Sequence, residues 1–139
     1  MDAVVTLDQG MRFTGTAVTG HEVVMDSDPS VGGDDTGPRP MELILIGLCG
    51  CTAMDVISIL RKKRAAVSGL QVKAHAERAA THPKIFTDIH LEYIVTGNNV
   101  SSKAVERAIQ LSADTYCPAQ AMLALGANMT TSYTIVEEA

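Results

Sequence analysis

Leu43 to Leu60 forms an almost wholly apolar run of 18 residues, LILIGLCGCTAMDVISIL, which ends on Arg61, Lys62, Lys63 and Arg64. Length and basic flank alone would suit a membrane-spanning helix. Asp55 and Ser58 lie inside the run, however, and an ionisable group in hydrocarbon is costly. The run is therefore read as the buried central helix of a folded domain, with no membrane partner. Pro40 suits the first helical turn, where its missing N–H costs nothing, and Glu42 suits the positive end of the helix. The helix is expected to run to about Arg64. Its basic cluster belongs at the negative C-terminal end rather than on a nucleic-acid surface. A helix that is apolar almost all round must be covered on every side. With 139 residues, expected to form one domain over 1–139, there are few layers to cover it. A homodimer with a shared core is the expected solution.

The remaining chain is punctuated by turns. Val4 to Leu7, Met11 to Val18 and His21 to Asp26 read as three short strands, broken at Gly10 and Thr19-Gly20. Ser27 to Pro40 is a long loop of Gly, Pro, Asp and Ser, a length that suggests function or a crossing between layers. After a break at Val67 to Gly69, Leu70 to Ala76 and Ile89 to Val95 alternate apolar and polar residues, the pattern of a hairpin with one wet face. Ser101 or Ser102 caps a helix ending near Tyr116. Cys117-Pro118 starts a short third helix, Gly126 stops it, and Met129 to Val136 is a last strand. The order β-β-β-α-β-β-α-α-β is an α+β plan. At 46% hydrophobic and 19% charged residues, disorder is excluded as the main state. Only 4% aromatics and a net charge of −5 leave neither stacking platforms nor a basic field, so no nucleic-acid partner is expected.

Three cysteines make an odd set, and Met1 to Gly10 carries an acid and no basic segment. Free thiols in a reducing, cytoplasmic setting are expected rather than a disulfide framework. Cys49 and Cys51 lie about 200° apart around a helix and cannot pair with each other. Cys117 stands at a helix start, where free N–H groups favour a thiolate, so by electrostatics alone it is the low-pKa thiol. Cys51, in mid-helix, would need a nearby cation. These residues alone leave open that all three are buried structural cysteines. The four histidines show no metal-ligand spacing, and His75 and His90 lie on the polar faces of the hairpin, so neither metal nor cofactor is expected. Asp55 is expected to be a buried or interfacial acid paired with a base.

Pro40-Met41-Glu42-Leu43, Gly47-Leu48-Cys49-Gly50-Cys51-Thr52-Ala53-Met54 and Tyr116-Cys117-Pro118 together resemble the OsmC/Ohr family, over nearly the whole chain. Within it, the Met-Glu-Leu start and Ile94-Val95-Thr96-Gly97 are similar to the poorly characterised OsmC-like subgroup. The resemblance implies an OsmC-like fold, with antiparallel sheets around a long central helix in an intertwined homodimer. It implies a bacterial oxidative-stress protein, a thiol peroxidase that reduces organic hydroperoxides and is reset by a dithiol reductant. Cys51 would be the peroxidatic thiol and Cys117 the resolving one; Cys49 has no role in the resemblance and is read as core. An Arg would activate Cys51 and a Glu would hold that Arg; the candidates are Arg12, Arg39 and Glu42. Glu42 stands nine residues before Cys51, half a turn out of phase. The alternative is a non-catalytic dimer of the same fold that binds a hydrophobic ligand in its interface pocket.

Overall fold

The computed structural model describes residues 1–138. Contacts divide the chain into two compact units, Met1–Ile46 and the chain from Gly47 onward, with the boundary inside the long helix.

The first unit is an antiparallel sheet of β1 (Ala3–Gln9), β2 (Arg12–Ala17) and β3 (Val23–Met25). Gly10, at φ +55°, turns the chain between β1 and β2. The third strand is shorter than its sequence suggests, starting at Val23 rather than His21, and at its far end Asp26 leaves the sheet to organise the loop. Asp26 is buried and accepts hydrogen bonds from the backbone N–H of Ser27 (2.7 Å), Asp34 (3.2 Å) and Thr36 (3.0 Å), and from the Thr36 hydroxyl (2.6 Å). These donors, the Thr36 hydroxyl foremost, hold its pKa down at about 2. The loop closes so tightly that a Cβ on Gly33 would stand 1.9 Å from the Ser27 carbonyl oxygen. The long polar loop is thus a fixed turn built on one carboxylate.

The long helix, α1, spans Pro40–Lys62, close to its expected extent. Among the described residues it is the one helix long and apolar enough to cross a membrane, by length and composition only. In the second unit it carries a single buried stripe, Leu48, Thr52, Val56 and Leu60, at a spacing of four. The expectation of cover on every side is not met by one copy. Only 22% of its apolar window is buried, and Met54 is 73% exposed.

The second unit's sheet has the order β4 (Ala66–Arg78), β5 (Phe86–Asn98), β6 (Asn128–Glu137). The β4–β5 hairpin is antiparallel, and β5 buries Ile89, Leu91, Tyr93 and Val95 on one face. Strand β4 begins at Ala66, not Leu70, because a bulge between Val67 and Gly69 interrupts the alternation without ending the strand. One pairing corrects the all-antiparallel expectation: β6 runs parallel to β5. The helices between them form a crossover long enough to return the chain to the same end of the sheet.

That crossover begins with α2 (Ser102–Leu111), capped by the Ser101 hydroxyl. A wide turn follows over Ser112–Tyr116, in which the Cys117 N–H bonds back five residues to the Ser112 carbonyl at 2.8 Å. The short helix α3 (Pro118–Leu123) completes it, with Cys117 as its cap and Pro118 in its first turn.

Candidate active site

The site grows from one position on α1. Cys51 is half-buried on this helix, and the next residue, Thr52, turns into the buried stripe. The wide turn before α3 brings Cys117 close enough to Cys51 that the neighbouring thiol acts on its pKa. All three cysteines are free, and Cys49 is half-buried, its pKa raised by burial.

Cys117 corrects the electrostatic expectation. Its pKa is pushed up, not down, to about 11. Burial is the main cause, at 3% exposure, and the neighbouring Cys51 adds to it. The N–H groups of Gln120 and Ala119 oppose the rise but do not overcome it. The Gln120 N–H reaches the Cys117 sulfur at 3.4 Å. A helix of six residues carries too little dipole to offset the loss of water.

Around the thiols lies a buried polar cluster that the sequence reading did not single out. The Thr52 hydroxyl lies 2.7 Å from the Tyr93 hydroxyl and 2.8 Å from that of Ser112, and accepts from Gln120 Nε2 at 3.1 Å. Ser112 donates to Asp55 Oδ2 at 2.9 Å. Donor counting fixes the sense of every bond. A carboxylate only accepts, so Ser112 spends its proton on Asp55 and must accept from Thr52. Thr52 then has no proton left for Tyr93, so Tyr93 donates to Thr52. The chain runs Tyr93 to Thr52 to Ser112 to Asp55. One signal in the sequence could have pointed to it: Thr52 is the polar member of an otherwise apolar stripe.

Asp55 therefore departs from its expected pairing with a base, and its partner is a serine hydroxyl. It lines a cleft of about 460 Å³ with Ser58, Ile59, Lys62, Lys63, Leu111 and Tyr116.

The candidate activating residues belong to the first unit. Arg39 is held by Asp35 at 2.8 Å and Asp28 at 3.6 Å, and donates to the Gly37 carbonyl at 3.2 Å. Glu42 accepts from the Arg39 backbone N–H at 2.9 Å, half of a capping box at the start of α1, rather than from its guanidinium. Arg12 lies 3.5 Å from Asp8. On the wet face of the second sheet, His75 pairs in register with His90. His75 bonds to Glu77 at 2.8 Å, while His90 bonds to Thr130 and Ser132 at 2.7 and 2.8 Å. No group of three or more His, Cys, Asp or Glu side chains arranged to hold a metal occurs among the described residues.

The fold defines a class, and comparison with known proteins agrees. The family described as OsmC-like protein matches residues 32–132, and the chain belongs to that family. Protein YhfA of Escherichia coli strain K12 is 41% identical over 136 residues, covering 98% of each chain. The crystal structure of a hypothetical protein from Aquifex aeolicus VF5 superposes with a TM-score of 0.87 at 30% identity, covering 99% of this chain and 97% of that one. An organic hydroperoxide resistance protein OsmC from Legionella pneumophila shares the fold at a TM-score of 0.68 and 12% identity, over 96% of this chain and 97% of that one.

Proposed function

We propose that this protein is a thiol peroxidase that reduces organic hydroperoxides through Cys51 and Cys117. The observation that carries the reading is the meeting of a half-buried Cys51 thiol with a deeply buried, protonated Cys117 thiol. The shared fold with a protein named for organic hydroperoxide resistance supports it. The thiolate of Cys51 attacks the peroxide, cleaves the O–O bond, becomes a sulfenic acid and releases an alcohol. The Cys117 sulfur then attacks the sulfenic sulfur. An S–S bond forms, the S–O bond breaks, and the Cys117 proton leaves with the hydroxide as water. Its high pKa keeps Cys117 from competing with Cys51 for the peroxide, and it gives up its proton as its sulfur attacks. An external dithiol exchanges with the disulfide and restores both thiols, its own pair oxidised in their place.

The working form we propose is a cytoplasmic homodimer, in which a second copy covers the apolar side of α1 around Met54. Light scattering tests it, and a monomer at micromolar concentration counts against it. The commitment of Arg39 to Asp28 and Asp35 favours a second reading, a non-catalytic dimer that holds a hydrophobic ligand. Peroxide consumption with excess dithiol separates the two. Turnover by the native protein that is lost in Cys51→Ser supports the peroxidase, and no turnover above the Cys51→Ser control ends that claim.

A further inference from the structure

Thr52 is fully buried, and its one oxygen is saturated by two donors and one acceptor. Two of those partners bracket Cys117. Ser112 opens the wide turn, and its carbonyl accepts the Cys117 N–H at 2.8 Å. Gln120 lies three residues beyond Cys117, and its own N–H rests on the Cys117 sulfur. The segment that carries one thiol is thus fastened at both ends to the residue next to the other thiol. Tyr93 fixes the same oxygen to the sheet from a third direction.

We propose that Thr52 is the positioning residue of the thiol pair: its hydroxyl sets the Cys117 turn in register with the helix carrying Cys51, so that joining the two sulfurs depends on it. The role of the disulfide in turnover rests on the peroxidase reading, but formation of the disulfide can be measured without it. The wide turn gives this role a mechanical logic. A five-residue backbone bond encloses one residue more than an α-turn, and such insertions recur at functional sites. Cys117 can shift toward Cys51 within that turn while Ser112 and Gln120 remain fastened to Thr52.

The test compares the native protein with Thr52→Val and Thr52→Ser. Valine keeps the shape and removes every hydrogen bond, while serine keeps the oxygen. Each folded protein is oxidised with diamide, and the Cys51–Cys117 disulfide is timed by intact and peptide mass spectrometry. The expected result is native-like closure in Thr52→Ser and closure slowed about tenfold or more in Thr52→Val, in line with the cost of small misplacements of reacting groups. With cumene hydroperoxide and no reductant, Thr52→Val should divert Cys51 from disulfide to sulfinic acid, while the rate of first sulfenic acid formation stays native. A merely structural role would not produce that split. Should Thr52→Val fail to fold, Gln120→Met removes one of the two fastenings and should slow closure in the same direction. Native closure rates in folded Thr52→Val, or in Gln120→Met where it stands in, would overturn the proposal. A native protein that closes its disulfide with diamide yet consumes no hydroperoxide would overturn the peroxidase reading alone.

Discussion

Tyr93 donates its phenolic proton to Thr52 across 2.7 Å, from the middle strand of the second sheet to the central helix. Neither group meets water, since both residues are fully buried. Tyr93→Phe deletes this bond but leaves Thr52 with Gln120 and Ser112. The variant should lose about 1 kcal/mol of stability, the ordinary net value of one such bond. Urea unfolding followed by circular dichroism measures it, with an unchanged slope showing that only stability has moved.

Cys117 is held protonated, with a pKa of about 11 against an ordinary 9.0. At pH 8 only about one Cys117 in a thousand is therefore a thiolate. Iodoacetamide added to the native protein should label Cys51 well before Cys117, with each site read by peptide mass. The same shift has a stability consequence. Between pH 9 and 11 the unfolded chain gives up the proton that the folded chain keeps, so stability contributed by this group is complete below pH 9 and is lost as pH rises through 11. Cys117→Ala should flatten that part of the alkaline profile.

Asp26 has the opposite sense. Its pKa of about 2 lies below the ordinary 3.8, so the carboxylate stabilises its loop above pH 4 and loses that effect as pH falls through 2. Asp26→Asn should weaken the loop at neutral pH and remove the acid sensitivity in that window. The amide resonances of Ser27, Asp34 and Thr36, followed by NMR between pH 5 and 2, report both effects directly.

Leu60 and Leu48 lie fully buried on the stripe of α1. Changing either to Ala should cost about 2–5 kcal/mol through lost transfer energy and the cavity left behind. Gly97→Ala should be at least as damaging, because its Cβ would meet the Ala66 carbonyl oxygen at 2.2 Å, and backbone cannot swing aside. Met54→Ala, by contrast, should leave the stability of a single copy almost untouched, since Met54 is 73% exposed. Thermal melts of the four variants rank these effects.

Local chemistry made much of the fold readable. Pro40 and Glu42 start α1, Ser101 caps α2, and Cys117-Pro118 opens α3 as their side chains dictate. The pairing of Arg39 with Asp35 is a four-residue relation that a sequence can display. What escaped was set by distance or by environment. The direction of β6 depends on where the crossover lands. The bulge at Val67 to Gly69 disguised three residues of strand as a break. Cys117 showed its helix start but not its burial, and burial decided its pKa. Thr52 meets Ser112 and Gln120 across 60 and 68 positions, and no periodicity joins such residues.

The hydrogen-bond chain that ends on Asp55 also has a collective property. Each hydroxyl owns one proton and each proton is committed, so no member can rotate alone without setting two donors or two acceptors face to face. Tyr93, Thr52 and Ser112 turn together or not at all, and the carboxylate beside the cleft anchors their shared orientation. A cation arriving at Asp55 would compete for that anchor and loosen three interior rotors at once. An encounter at the rim would thereby be felt in the core as freedom of motion.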